Sequence, residues 1–296
     1  MTHNAYERIV VPTDMSDFSA LALRYAAAFR ERLGSSLTLL YADELFLRAE
    51  MLEAPLGQFL ENAPPSRERQ QQRLRQYGEE RIGGTFETLV VADTAVRAIL
   101  QADLIVMGTH GRQGLRRAIL GSVTENLLHH TDVPVLTVTP ALMDTRKEIA
   151  IRRILCPVNF TRVARESLSH ACAVAAAFDA EVHVMYVLEE IDSDRAPEVE
   201  MAFGQWVDPQ LADRCRFTHS VVRNGDPAER VLAAAGAVAA DMMVIGAQHK
   251  FFSDATVIGT TTQRITRFAR VPVLTVTRKA TAEVAPLPER ELVDVM

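Results

Sequence analysis

The sequence predicts an α/β protein: two tandem modules, each a doubly wound parallel sheet, packed together as a pseudo-dimer. Three observations predict it. The chain matches itself in two ordered blocks. Each half alternates apolar strand runs with amphipathic helices. The length of 296 residues suits two domains of roughly 150 residues each.

The first block begins with Arg8-Ile9-Val10-Val11-Pro12-Thr13-Asp14, which resembles Arg153-Ile154-Leu155-Cys156-Pro157-Val158-Asn159. The alignment continues without a gap to Tyr41 and Tyr186, matching Leu23 with Leu168, Ala26 with Ala171 and Leu39 with Val184. The second block pairs Gly108 with Gly246, Gly121 with Gly259 and Thr124 with Thr262. It ends in Val133-Pro134-Val135-Leu136-Thr137-Val138-Thr139, repeated letter for letter from Val271 to Thr277. The first module is assigned to residues 1–142 and the second to 152–280. Between them lies a solvated linker, 143–151, carrying Asp144, Arg146, Lys147 and Glu148; residues 281–296 form a C-terminal tail.

The elements follow in the same order in each copy. An apolar run bounded by Pro and a polar turn (Ile9–Val11; Ile154–Cys156) reads as a buried parallel strand. A helix comes next, with Leu21, Tyr25, Ala28, Phe29 and Leu33 at helical spacing in the first copy. A second strand covers Leu37–Tyr41 or Val182–Val187. In the first copy Pro64-Pro65 then opens a polar helix over Arg67–Arg81, read as mostly a solvated face. The third strand covers Glu87–Val91 or Thr218–Val222. The short helix after it is shorter in the first copy, by about two turns at 3.6 residues per turn. The fourth strand, Leu104–Met107 or Met242–Ile245, runs into a glycine-containing loop, another helix and the closing Val-rich strand. The duplicated closing strands would expose aggregation-prone edges unless they cover each other.

Composition narrows the function. Lys and Arg total 32 against 38 Asp and Glu, a net charge of −6, which argues against a general nucleic-acid binder. No apolar run is long enough to span a bilayer, and Met1–Tyr6 has no signal-peptide character. A cytoplasmic protein with no membrane partner is expected. Cys156, Cys172 and Cys215 lack zinc-ligand spacing and read as buried free thiols. His129-His130 read as surface residues near a helix C-terminus, and Trp206 as packing. No nucleophile–base pair emerges.

In open α/β sheets ligands sit beyond the carboxyl ends of the strands. Asp14 follows the first strand there, Gly108-Thr109-His110-Gly111 follows the fourth, and Gly121-Ser122 opens the next helix. The spacing Gly108-x2-Gly111-x9-Gly121-Ser122 suits a backbone cradle for phosphate at a helix N-terminus. It is neither a Walker A loop nor a Rossmann fingerprint. A purely structural reading competes: Ser122-x-x-Glu125 and Thr260-x-x-Gln263 are capping boxes, although a cap leaves Gly108 and Gly111 unexplained. Asp14 likewise reads either as a turn residue before the helix or as an acceptor for an exocyclic amine such as that of adenine.

Taken together, Ile9-Val10-Val11-Pro12-Thr13-Asp14, Leu104-Ile105-Val106-Met107-Gly108-Thr109-His110-Gly111, and Gly121-Ser122-Val123-Thr124-Glu125 followed by Pro134-Val135-Leu136 resemble the universal stress protein family. The Gly-x2-Gly-x9-Gly-Ser spacing is similar to the signature of its ATP-binding branch. The resemblance covers nearly the whole chain, twice. It implies a Rossmann-like, adenine nucleotide alpha hydrolase-like fold and ATP with Mg²⁺ as ligands. It implies that Asp14 takes the adenine amino group, that Ala42 presents backbone to the base, and that Pro12, Thr13 and Met107 line base and ribose. Gly108, Gly111, Gly121, Ser122, Val123 and Thr124 would hold the phosphates. It also implies pairing through the last strands, here Val135–Val138 with Val273–Val276, and leaves further homodimerisation open.

The second copy departs from the pattern: His249 stands in place of the second glycine and Asn159 in place of Asp14. A non-glycine residue held left-handed costs about 1–2 kcal/mol, so one ATP per chain, in the first copy, is the expectation. Three functions follow for testing. One is an ATP-binding stress-response regulatory protein. The second is a weak ATPase or an enzyme autophosphorylating on Ser122 or Thr124. The third is a nucleotide-independent interaction module.

Overall fold

The computed structural model describes residues 6–42, 67–91, 101–109, 121–139, 148–188, 196–207, 215–252 and 255–279. In the first half the strands are β1 (Arg8–Pro12), β2 (Ser36–Ala42), β3 (Glu87–Val91), β4 (Leu104–Gly108) and β5 (Val135–Val138). In the second half they are β6 (Arg153–Pro157), β7 (Glu181–Leu188), β8 (Arg216–Arg223), β9 (Met242–Phe252), β10 (Ala255–Ile258) and β11 (Val273–Lys279). The helices are α1 (Asp17–Leu33), α2 (Arg67–Glu79), α3 (Ser122–His130), α4 (Arg162–Phe178), α5 (Ala196–Trp206), α6 (Pro227–Ala237) and α7 (Thr260–Phe268). No described helix is long and apolar enough to cross a membrane.

All these strands form one sheet, ordered β3-β2-β1-β4-β5-β11-β9-β6-β7-β8, with β10 paired to β9. Within each half the neighbours along this path run parallel, and the halves join where β5 meets β11 antiparallel, Leu136 opposite Leu274. The repeated closing strands therefore cover each other's edges, and the two modules form a pseudo-dimer inside one chain. Thr137 Oγ1 donates to Val273 O (3.1 Å) and Thr277 Oγ1 to Thr131 O (2.6 Å), so these two buried hydroxyls have partners across the seam, while the buried Thr275 Oγ1, opposite Val135, has none among the described residues.

The first helix of each copy shows how the repeat folds twice. Ser16 caps α1 by accepting from the Ser19 N–H, and Thr161 caps α4 by accepting from the Ala164 N–H. Gly34 ends α1 at φ 69, while Asp179 ends α4 at φ 54, one of the few side chains that tolerate the left-handed region. The helices lie on the same face of the sheet and touch. Phe29 packs on Phe178 with ring centroids 5.1 Å apart, and the Tyr6 hydroxyl lies 2.7 Å from His170 Nδ1. One hydrophobic cluster runs through both halves on this face, including Leu23, Phe29, Leu104, Val106, Leu168, Val174, Val244 and Leu274. Burial pushes the His170 imidazole down to about 4, so near neutral pH the ring is uncharged and Nδ1 accepts the Tyr6 O–H.

The polar helix after Pro64-Pro65 is mostly a solvated face, as expected, and α2 buries Leu74 and Tyr77 against the sheet. One expectation is corrected. The fourth strand of the second copy does not stop at Ile245. It continues to Phe252 and turns back as β10, with His249 opposite Ile258. The short helix of the first copy, expected after Val91, falls largely outside the described residues; its counterpart α6 starts at Pro227 behind an Asp226 cap.

Candidate functional site

From β1 the chain builds outward through β2 to β3, then crosses back to lay β4 on the other side of β1. The crevice between the carboxyl ends of β1 and β4 is therefore the topological switch point of the first module. Pro12 ends β1, with Thr13 and Asp14 directly after it; Ala42 ends β2; Met107 and Gly108 end β4. These sequence-predicted residues converge on one edge of three adjacent strands. Gly111 lies outside the described residues.

Hydrogen bonds tie the start of α3 to the end of β4. The Gly121 N–H donates to Thr109 O (2.8 Å), Thr109 N–H donates to Val138 O (3.0 Å), and Thr124 Oγ1 donates to Gly108 O (3.1 Å). Gly108, Gly121 and Thr124 are thus brought together. Neither Gly108 nor Gly121 has a positive φ. Gly121 is favoured by proximity instead: a Cβ there would lie 3.1 Å from the Thr109 carbonyl oxygen, a tight contact.

The capping-box expectation is displaced by one residue in both copies. Gly121 is the N-cap of α3, with φ −60 and ψ 142, and being glycine supplies no side-chain cap; Gly259 plays the same part for α7. Ser122 is the first helical residue. Among the described residues no side chain caps the first-turn N–H groups of Ser122, Val123 and Thr124, and such groups at the positive end of a helix suit an anion. Val123 is 41% exposed beside them, whereas Thr124 is buried.

Asp14 forms a turn: its Oδ1 accepts from Ser16 N–H (3.0 Å) and Ser16 Oγ (2.6 Å), ahead of the α1 cap. Met15 between them is left-handed at φ 60, a strained conformation for a non-glycine residue of the kind that clusters at functional sites. The Thr13 hydroxyl is committed inward, donating to Ser19 Oγ (2.8 Å) and accepting from Met15 N–H (2.9 Å). Tyr77 of α2 closes this network, its hydroxyl 2.9 Å from Ser19 Oγ and donating to Ser16 O (3.0 Å). Burial raises the Tyr77 phenol, which therefore stays protonated. Met107 is also buried, in a cluster with Ile105, Leu127, Leu128 and Val135 beneath α3. Thr13 and Met107 can offer a ligand chiefly backbone.

The equivalent crevice of the second copy, between β6 and β9, is built differently. Asn159 Oδ1 accepts from Thr161 Oγ1 (2.7 Å), and Phe160 is left-handed at φ 58, as Met15 is. Phe160, however, stacks on Tyr186 at 4.8 Å and meets Phe203 and Trp206 edge-on at 5.4 Å. Arg165 lies over the Trp206 ring at 5.5 Å. Trp206 is thus a packing residue. His249 is extended in β9, paired with Ile258 on β10 and Lys279 on β11, so the expected left-handed strain at His249 does not arise. The hairpin has a sequence signal that glycine spacing obscured: two β-prone runs, Lys250-Phe251-Phe252 and Ala255-Thr256-Val257-Ile258, flank Ser253-Asp254. It reaches across the pseudo-dimer: β10 touches α3, and Ala247 joins the cluster beneath that helix. On α3 itself, exposed His130 bonds through Nδ1 to Asn126 O (2.9 Å).

Fold and crevice together define a tandem of Rossmann-like modules whose two switch points are built differently. The universal stress protein family model matches residues 5–139 and 150–277, and the chain belongs to that family. A universal stress protein of Methanocaldococcus jannaschii is 28% identical over 153 residues, covering 45% of this chain and 94% of the relative. One from Mycolicibacterium smegmatis is 24% identical over 295 residues, covering 90% of this chain and 96% of the relative. The crystal structure of a universal stress protein from Archaeoglobus fulgidus shares the fold, with a TM-score of 0.66 at 21% identity and coverage of 93% of this chain and 99% of that one.

Proposed function

We propose that the protein is an ATP-binding regulatory protein of stress responses that holds one nucleotide, in the first module (residues 1–142). The observation that carries this reading is the glycine-capped start of α3 tied by Gly121 and Thr124 to the end of β4 at the switch point, where the second module instead extends β9 to Phe252. The first-turn N–H groups of Ser122, Val123 and Thr124, with Gly108, Gly111 and Gly121, would hold the phosphates. Asp14 and the backbone of Ala42 would take the adenine, and Pro12, Thr13 and Met107 would border base and ribose. Mg²⁺ would come with the nucleotide. It favours oxygen ligands and keeps several waters, and among the described residues no cluster of three His, Cys, Asp or Glu forms an all-protein cage. It would supply charge neutralisation at the phosphates.

Autophosphorylation on Thr124 is disfavoured, because its hydroxyl is buried and donated to Gly108 O. The test is mass spectrometry of the small molecule released when freshly purified protein is denatured, followed by calorimetric titration with ATP. One adenine nucleotide per chain is expected. Two equivalent sites would overturn the assignment to the first module, and no binding at all would favour a nucleotide-independent interaction module.

A further inference from the structure

The two ends of α3 are held by different modules. Its N-terminus is tied to its own strand, through the Gly121 N–H to Thr109 O (2.8 Å) and Thr124 Oγ1 to Gly108 O (3.1 Å). Its C-terminus is held by the second module. Thr131, the C-cap, accepts at its carbonyl oxygen from Thr277 Oγ1 on β11 (2.6 Å). Thr277 pairs with Ala247 on β9, and Ala247 lies in the buried cluster that contains Leu127 and Leu128 of α3. The same cluster contains Met107, at the end of β4. Beyond Ala247 the strand runs on into the β9–β10 hairpin, and β10 lies against α3.

This arrangement follows from the seam. Because β5 and β11 run antiparallel while β11 and β9 run parallel, the far ends of β11 and β9 arrive where α3 ends and β5 begins. The reverse tether is slacker: Thr139 Oγ1 of the first module reaches Ala269 O, the C-cap of α7, at 3.4 Å. The shorter bond therefore acts on the helix whose N-terminus faces the first switch point. That helix has nine residues, a length of about 13 Å at 1.5 Å per residue. A rigid element so short transmits a shift at one end to the other.

We propose that α3 is a lever: the second module clamps its C-terminal end, so that nucleotide at its N-terminus and the β9–β10 hairpin bias one another. This rests on the reading of α3 as the phosphate-binding helix. Coupling of this kind is reciprocal. A loosened helix must be ordered again on binding, which lowers affinity; bound nucleotide in turn steadies the hairpin. The second copy thus regulates the site of the first without holding a nucleotide itself.

The test uses the full chain, with amide hydrogen exchange and calorimetric titration of ATP. Thr277→Val removes the hydroxyl that reaches Thr131. Neighbouring strand residues point their N–H groups to opposite sides, so Thr256→Pro combined with Val257→Pro removes an N–H facing β9 in either phase. Without nucleotide, each variant should speed exchange at Leu127–Thr131 by about fivefold, the loss of one ordinary hydrogen bond, and leave α1 unchanged. Each should weaken ATP binding by about fivefold or more, and ATP should slow exchange over 249–258 in the unsubstituted protein. Unaltered exchange at the end of α3 in both variants would overturn the clamp. ATP binding with neither hairpin protection nor a change of affinity in the variants would overturn the lever and leave the nucleotide site standing. No ATP binding to the unsubstituted protein would overturn the site and the lever together. The unsubstituted protein with and without ATP decides the matter even if a variant fails to fold.

Discussion

After the fourth strand the two modules diverge. In the first, β4 stops at Gly108, and Gly121 caps α3 close to the strand end, tied to it through Thr109 and Thr124. In the second, with the same number of residues between its matched glycines, the strand runs on from Gly246 to Phe252 and returns as β10. Gly246 serves packing, since a Cβ there would lie 2.9 Å from Val163 O, whereas a Cβ on Gly259 would meet nothing within 4 Å. Equal glycine spacing therefore does not mean equal function. In the first module a glycine permits close approach of helix and strand end; in the second a long strand and an aromatic cluster occupy the corresponding edge.

The largest expected effect tests that contrast directly. Gly111→His should weaken ATP binding by about 100-fold or more, corresponding to roughly 2.7 kcal/mol, while His249→Ala should leave it within about twofold. Comparable losses measured by calorimetry would erase the distinction between the copies. Asp14→Ala follows. A hydrogen bond to a charged group is worth about 1.5–3 kcal/mol, so affinity should fall about 10- to 150-fold, and Asn159→Ala should not change it. Unchanged affinity in Asp14→Ala would leave Asp14 with only its turn.

The next effect belongs to the seam. His170 of the second copy accepts from Tyr6 of the first, and burial pushes its imidazole down to about 4. The unfolded chain protonates this histidine near pH 6.5 and the folded chain only near 4. Between those values the unfolded state binds more protons, so stability falls as pH falls. The contribution is fully present above about pH 6.5 and amounts to about 2 kcal/mol lost between pH 7 and 5. Urea denaturation at the two pH values measures it; His170→Gln should flatten the dependence. The smallest pair of effects concerns the glycines. Gly246→Ala should destabilise by about 1–2 kcal/mol through overpacking against α4, and Gly259→Ala should stay within about 0.5 kcal/mol. Thermal or urea midpoints that rank them the other way would show that the close approach at Val163 is readily relieved.

Much of the architecture is legible in the sequence. Ile9–Val11, Leu37–Tyr41 and Leu104–Met107 lie within strands as read, because buried parallel strands are locally apolar. The Val135–Val138 and Val273–Val276 runs were recognisable as partners because each leaves an edge that the other completes. The positions of the candidate residues were legible in outline: Pro12, Ala42 and Gly108 end their strands, Thr13 and Asp14 follow β1, and Gly121 lies against Thr109, as the order of the elements implies. Caps were misread by one residue because Ser122-x-x-Glu125 and Gly121-x-x-Thr124 both fit the start of α3, and only the Gly121–Thr109 approach separates them.

By itself the sequence determined the tandem α/β order, the strands common to both copies and the carboxyl-end edge on which the candidate residues lie. These depend on side-chain period, backbone propensity and a repeat, all of which are local. Only the tertiary structure decided that the second glycine loop is a hairpin laid against α3 and that Phe160, Tyr186, Phe203 and Trp206 close in one cluster. Those outcomes join residues far apart in the chain, and they depend on which buried surfaces fit together once both copies share a sheet.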